Sequence, residues 1–211
     1  VIYDLRGNSD LSEDTLDHLE GYENSKPVRI GNNAFLQKQW DIYGSVLDMM
    51  WTIHQIRSHH VISDKTWKVL RGFANYVSHI WREPDEGIWE VRGGGRHFVY
   101  SKMMCWVALD RALKISGAHS LPGERKRWEK EKDDIYKEIM ERGWSENKQS
   151  FVQSYDSETL DASALTFSSY GFIEGDDPKM ISTIKKVEEE LGVGDGLLLR
   201  YNLEDGLPGH E

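Results

Sequence analysis

The sequence predicts an all-α fold, a ring of paired helices, on three observations. Apolar residues recur at three- and four-residue intervals along most of the chain, whereas no stretch alternates with period two for long. Helices that are apolar on more than one face take turns with amphipathic ones, as inner and outer helices of a ring do. The loops between them are long and crowded with polar and aromatic side chains. A simple helical bundle fits the helix count nearly as well but has less need of such loops.

In chain order, residues 1–32 read as irregular, apart from a short capped helical turn at Ser12–Leu19, where a serine precedes several acids. Gly, Asn, Ser and Pro cluster after Gly21 and predict a loop. A helix is expected from Ala34 to Arg57. One stripe runs through Leu36, Trp40, Tyr43, Leu47, Met50 and His54, a second through Phe35, Ile42, Val46, Met49, Ile53 and Ile56. Two stripes leave little solvent face, so this helix should be buried on most sides. Ser63 and Asp64 cap the next helix, with Trp67, Leu70, Ala74, Val77 and Trp81 on one face and Pro84 as its stop. Phe98–Ile115 is helical again, with Gly117 as a stop. Glu124–Arg142 is a more polar, outer helix with a narrow stripe at Trp128, Ile135, Ile139 and Met140. Asp161–Ser169 and Lys179–Leu191 complete the helices. Ser150–Tyr155 and Gly196–Tyr201 are the only strand-like pieces.

A chain of 211 residues is enough for one domain with a sizeable core. Its 26 basic and 36 acidic residues give a net charge of −10, which argues against tracking nucleic-acid phosphates or anionic membranes. Neutral ligands or proteins are the expected partners. The single cysteine, Cys105, excludes a disulfide framework and a thiolate metal site. None of the eight histidines is spaced with another and an acid as metal ligands are, so no metal and no cofactor is expected. The eight tryptophans and nine tyrosines suit core packing first and stacking on sugar rings second. The compartment is left open, with the cytoplasm slightly favoured.

Three stretches carry candidate chemistry. The first is "EPDEGIWEVRGGGRHFVYSK", Glu83 to Lys102. Glu90 follows Trp89. A carboxyl beside an indole, sheltered by Phe98 and Tyr100, would have its ionised form disfavoured by desolvation and could serve as a general acid. An exposed acidic loop is the competing reading. The glycine run lets a backbone approach a ligand or simply turn sharply. It lacks the spacing and ending of a phosphate loop. The second stretch is "PVRIGNNAFLQKQWDIYG", with Arg29 at a helix entrance and Asp41 inside an apolar segment. A carboxylate there serves either an arginine pair or a ligand hydroxyl. The third is "LLLRYNLEDGLPGHE", with Arg200, Tyr201 and Asp205. An arginine fork can hold sugar hydroxyls or pair with a nearby aspartate.

These stretches resemble glycoside hydrolase family 15, the glucoamylases and their bacterial relatives, including trehalases. "GYENSKPVRIGNNAFLQKQWDIYG" is similar to a family segment around "PVRIGN". "PDEGIWEVRGGGRHFVYSKMMCWVALDRAL" is similar to its acid-bearing segment, and "LDASAL", "GFIEGDDPKMISTI" and "LLLRYNLEDGLPGHE" match later blocks. The resemblance implies an (α/α)6 barrel and inverting hydrolysis of α-glucosidic bonds in maltooligosaccharides, isomaltooligosaccharides or trehalose. It implies Glu90 as the general acid, Trp89 beside it and Arg200 on the sugar at the cleavage subsite. Arg29, Asp41 and Asp205 are further candidates for substrate binding. The family's upstream "W-x-RD" segment and its downstream general-base block have no counterpart here. Residues 1–211 are therefore expected to form part of the ring, as a single partial catalytic domain. Its inner helices should expose apolar stripes, and the exposed faces could self-associate. Glu86 or Asp205 could stand in as the base. A non-catalytic sugar-binding module of the same fold is the alternative function.

Overall fold

The computed structural model describes residues 3–57, 62–91 and 93–202. They fall into two compact units, Val1–Lys38 and Gln39–Glu211.

The first unit is built on a small antiparallel ribbon, in which β1 (Asp14–Thr15) pairs with β2 (Arg29–Ile30). The helical turn expected at Ser12–Leu19 is absent. Leu16 N–H is given to Val28 O, so the segment is drawn into the ribbon, a long-range pairing that overrides its capping signal. A 3-10 turn at Asn33–Leu36 is capped by Asn32, whose side chain accepts from Ala34 N–H at 2.9 Å.

The second unit contains five helices. Helix α1 spans Asp41–Ile56 and does not begin at Ala34, because Gln37 is extended (φ −74, ψ 148) and breaks the helix. Helix α2 spans Asp64–Ile80, with Ser63 Oγ accepting from Thr66 N–H at 3.1 Å. Its expected apolar face, Trp67 to Trp81, is buried. Helix α3 spans Val99–Ala118 and passes through Gly117, and 17 of its 20 residues are buried, which makes it the axis of the core. Helix α4 (Arg125–Arg142) buries only the stripe Trp128, Ile135 and Ile139. Helix α5 (Pro178–Leu191) starts with Asp177 as cap and proline in its first turn. A 3-10 turn covers Ala162–Thr166 where a longer helix was expected. The ribbons are β3 (Trp144–Ser145) with β4 (Ser150–Phe151), and β5 (Gly192–Gly194) with β6 (Leu197–Leu198).

Helix α3 packs against α1, α2 and α4, while α5 lies on β4 and the 3-10 turn. Helix α1 buries one side only. Gly44 and Leu47 are covered, whereas Ile42, Met49 and Ile56, seven residues apart, are exposed. The expectation of a helix buried on most sides is thus corrected. Of its two apolar stripes, one faces α3 and much of the other stays open.

Two features lock the core. At Gly44 the backbones of α1 and α3 nearly touch. A Cβ there would lie 2.3 Å from Met104 O. Two residues before Met104 in α3, Lys102 is fully buried, and its Nζ donates to Trp81 O and Glu83 O at 2.5 Å each. Beside it Asp85, also fully buried, accepts Trp40 N–H at 3.1 Å on Oδ2. Desolvation pushes the Asp85 carboxyl up to about 6, against the pull of hydrogen bonds from Ser101 and Trp40 and of the Lys102 ammonium.

Two predictions follow from this core. Gly44→Ala should lower stability by about 2–3 kcal/mol, since only backbone could yield, and a smaller change in the urea midpoint than about 0.5 kcal/mol would refute the close crossing. The folded protein holds the Asp85 proton more tightly than the unfolded chain, so stability should fall as pH rises from about 4 to 6 and level off above. Ionising this carboxyl costs the fold about 3 kcal/mol at most. Asp85→Asn keeps an acceptor for Trp40 and should flatten that part of the stability–pH curve. Parallel curves for the two proteins would sink the argument.

Candidate active site

The Glu83–Lys102 stretch forms the connection from α2 to α3, and its ends are fixed before its tip is considered. Asp85 and Arg96 exchange both backbone hydrogen bonds, at 3.0 and 2.8 Å, and close the intervening residues into a loop. Lys102 holds the carbonyls just before the loop. Phe98 and Val99 pair with the Gln153–Tyr155 segment just after it. Inside, Gly87 has φ +71, and a Cβ there would fall 2.9 Å from the Phe98 ring, so this turn requires glycine.

Glu90 sits on this loop, half-buried, with φ +54. A glutamate in the left-handed region is uncommon and costs about 1 kcal/mol or more, which is sustained because the loop is pinned at both ends. Gln39, immediately before α1, donates its side-chain amide to Glu90 Oε1 at 3.3 Å.

Trp89 is fixed by its indole N–H, which lies 3.0 Å from both carboxylate oxygens of Asp161. Asp161 is 4% exposed and also caps the Ala162–Thr166 turn through Ser163 N–H at 2.8 Å. Burial pushes its carboxyl up, while hydrogen bonds from Ser163, Trp89 and Gln153 pull it down. Arg200 and Tyr201 arrive on the same spot because the chain pairs Ala162 N–H with Arg200 O at 2.9 Å and bridges Asp161 with Tyr201. The Arg200 guanidinium lies 5.3 Å from the Trp89 ring centre, and the Tyr201 ring 6.3 Å. Val91, Phe98 and Tyr201 bury a small apolar cluster beneath Trp89.

Asp41 is the first residue of α1. Its Oδ1 is buried and has no hydrogen-bond partner among the described residues. Its carboxyl is pushed up by desolvation first and by the charge of Glu90 second, so the two acids share one neighbourhood. In the first turn of α3, Tyr100 is buried and within the electrostatic reach of Asp41 and Asp161.

The structure therefore brings Glu90, Trp89, Asp41 and Arg200 together. Arg29 lies in the first unit, where its Nε meets Glu13 Oε1 at 3.1 Å. Asp205 lies outside the described residues. Sequence reasoning missed Gln39 and Asp161. Only Asp161 had a local signal, as a cap before "ASAL". It also missed a histidine pair, His119 Nε2 to His54 Nδ1 at 3.1 Å, well away in sequence from any acid motif. Among the described residues no three histidine, cysteine or acidic side chains converge as metal ligands do. No helix among them is long and apolar enough to cross a membrane.

A half-buried acid on a strained loop, an indole braced by a carboxylate, and an arginine beside it make a polar, aromatic setting suited to a sugar. The chain is 41% identical over its whole length to a trehalase of Mycobacterium tuberculosis and equally to one of Mycolicibacterium smegmatis, covering 31% of each. It is 37% identical to a trehalase of Thermoplasma volcanium, covering 33%. The chain thus spans about a third of the length of the curated relatives it matches. Among solved structures it resembles a wild-type glycosidase and a glycosidase variant in complex with glucose. In both cases the TM-score is 0.70 at 19% identity, over 85% of this chain and 48% of the other. That likeness shows the fold, all-α and akin to (α/α)6-barrel glycosidases. The Glycosyl hydrolases family 15 model matches residues 1–207, and the chain belongs to that family.

Proposed function

We propose that the protein is a glycoside hydrolase that cleaves α-glucosidic bonds with inversion, and that Glu90 is its general acid. The observation that carries this reading is the placement of Glu90. Glu90 stands on a loop pinned at both ends, in a strained backbone conformation, and follows Trp89, whose indole a buried carboxylate holds still. Strain of this kind persists where surrounding structure enforces it, as at catalytic groups.

In the reaction, Glu90 gives its proton to the glycosidic oxygen as the bond from that oxygen to the anomeric carbon breaks. The electron pair of that bond stays with the leaving oxygen. Water adds to the anomeric carbon from the opposite face and loses a proton to a second carboxylate. The base is assigned to no residue of this chain. Trp89 offers a flat face to the sugar ring, and Arg200, beside it, offers a planar fork to two hydroxyls. The unpartnered Asp41 Oδ1 suits a sugar hydroxyl as donor. Arg29 and Asp205 remain further candidates for substrate contact. The substrate class is an α-glucoside. The names of the relatives support trehalose as the first to try, ahead of maltose and isomaltose.

The test is glucose release from these three disaccharides by the full-length protein. Glu90→Gln should lower kcat by about 10²–10⁴, the usual worth of a general acid. Arg200→Lys should lower kcat/KM by about tenfold or more, because an ammonium cannot reproduce the bidentate fork. Undiminished turnover by Glu90→Gln would remove it as the acid. Binding of glucose or an iminosugar with no turnover by the unaltered protein would favour the non-catalytic alternative.

A further inference from the structure

Gln39 has no part in the reading above, yet it touches the acid. Its Nε2 lies 3.3 Å from Glu90 Oε1, and the two residues are 51 apart in sequence. The contact is built rather than incidental. Trp40, the next residue, is held twice to the loop that carries Glu90. Its backbone N–H goes to Asp85 Oδ2 at 3.1 Å and its indole N–H to Pro84 O at 3.2 Å. Asp85 is fully buried and backbone-paired with Arg96, so the clamp stands on the fixed base of the loop. Immediately beyond Trp40, the chain enters α1. Gln39 thus has little freedom to leave Glu90.

We infer that Gln39 is a positioning residue for the acid, whose amide makes Oε1 the accepting oxygen of Glu90 and so leaves the transferable proton on Oε2. The inference rests on Glu90 being the acid. An amide donor suits the task better than a cation. A lysine or arginine at this spot would strongly favour the ionised carboxylate and hold the acid in its spent form. A neutral N–H orients the group with a weaker bias. Its bond also strengthens as the proton departs and charge develops on the carboxylate, so it contributes more in the transition state than in the ground state. As the O–H bond on Oε2 breaks and the leaving oxygen takes that proton, Oε1 keeps its partner throughout.

The experiment compares two substrates on the full-length protein. A disaccharide expels a poor leaving group and needs the proton. α-Glucosyl fluoride expels fluoride and needs none. Gln39→Met keeps length and volume but has no donor, and Gln39→Asn keeps the donor but retracts it. With the disaccharide, Gln39→Met should lower kcat by about 10- to 100-fold with KM changed by about twofold or less, and Gln39→Asn should fall between it and the unaltered protein. With the fluoride, both should stay within about threefold of the unaltered protein. Glu90→Gln should show the same selectivity in larger measure. Equal losses on both substrates would mean a merely structural role and would overturn the inference, as would no loss on either. Unaffected disaccharide hydrolysis by Glu90→Gln would instead bring down the acid reading and this inference with it. A normal Glu90→Gln result beside an unaffected Gln39→Met would overturn the inference alone.

Discussion

The buried ammonium of Lys102 is the constraint on which the rest of the second unit depends. Taking such a group out of water costs several kcal/mol unless its donors are met. Two of them are met by Trp81 O and Glu83 O, carbonyls that the end of α2 leaves without helical partners. One side chain on α3 therefore satisfies the end of α2 and sets where the acid-bearing loop begins. The price is visible in the ammonium itself, whose affinity for its proton is lowered by desolvation and restored in part by nearby negative charge, Asp85 included. Asp85 in turn reaches across to Trp40 and so brings the start of α1 to the same place. A helix end, a loop and a helix start meet at one charge pair.

That arrangement explains why α3 can be buried on nearly every side and still carry charged residues. Lys102 works at one end. Arg111 works further along, bonded to Asp48 at 2.7 Å, Asp110 at 2.5 Å and Tyr170 O at 2.8 Å. Each buried charge ties α3 to a neighbour instead of reaching for water. The apolar contacts between these ties are non-directional and could tolerate some sliding. The charged ties and the close crossing at Gly44 set the register.

Much of this was legible in the sequence where the signal is local. Ser63 before an apolar face marked α2, and the cluster of acid, indole and glycine marked the loop with Glu90. Illegible features depend on residues far apart. Gln39 looks like one more polar residue before a helix until Asp85, 45 positions beyond Trp40, fixes it beside Glu90. Asp161 reads as the start of a helix and turns out to brace Trp89, 72 positions away. The false helical turn at Ser12–Leu19 and the false early start of α1 have the same origin. Local propensity was outweighed by a ribbon with Val28–Ile30 in one case and by an extended Gln37 in the other. Two apolar stripes on α1 implied burial on most sides; α3 covers one, α2 adds Phe73 and Tyr76 against Tyr43, and Ile42, Met49 and Ile56 stay exposed.

The carboxyls around Glu90 suggest what the site is built to hold. Burial pushes the carboxyls of Asp41, Asp85 and Asp161 up, so in each the ionised form is the one that costs the fold. The Lys102 ammonium accounts for the charge of Asp85 but not for Asp41 and Asp161. Asp85 and Asp161 accept hydrogen bonds that amides could also accept, and Asp41 Oδ1 accepts none. The transition state of glycoside hydrolysis carries positive charge on the sugar ring and its anomeric carbon. Preorganised negative groups in a partly water-excluded setting stabilise such charge without reorganising at the moment of reaction. A neutral amide from Gln39 and a single guanidinium at Arg200 are then the right polar counterparts. They orient the carboxyl and the sugar without cancelling the field on which the proposed reaction relies.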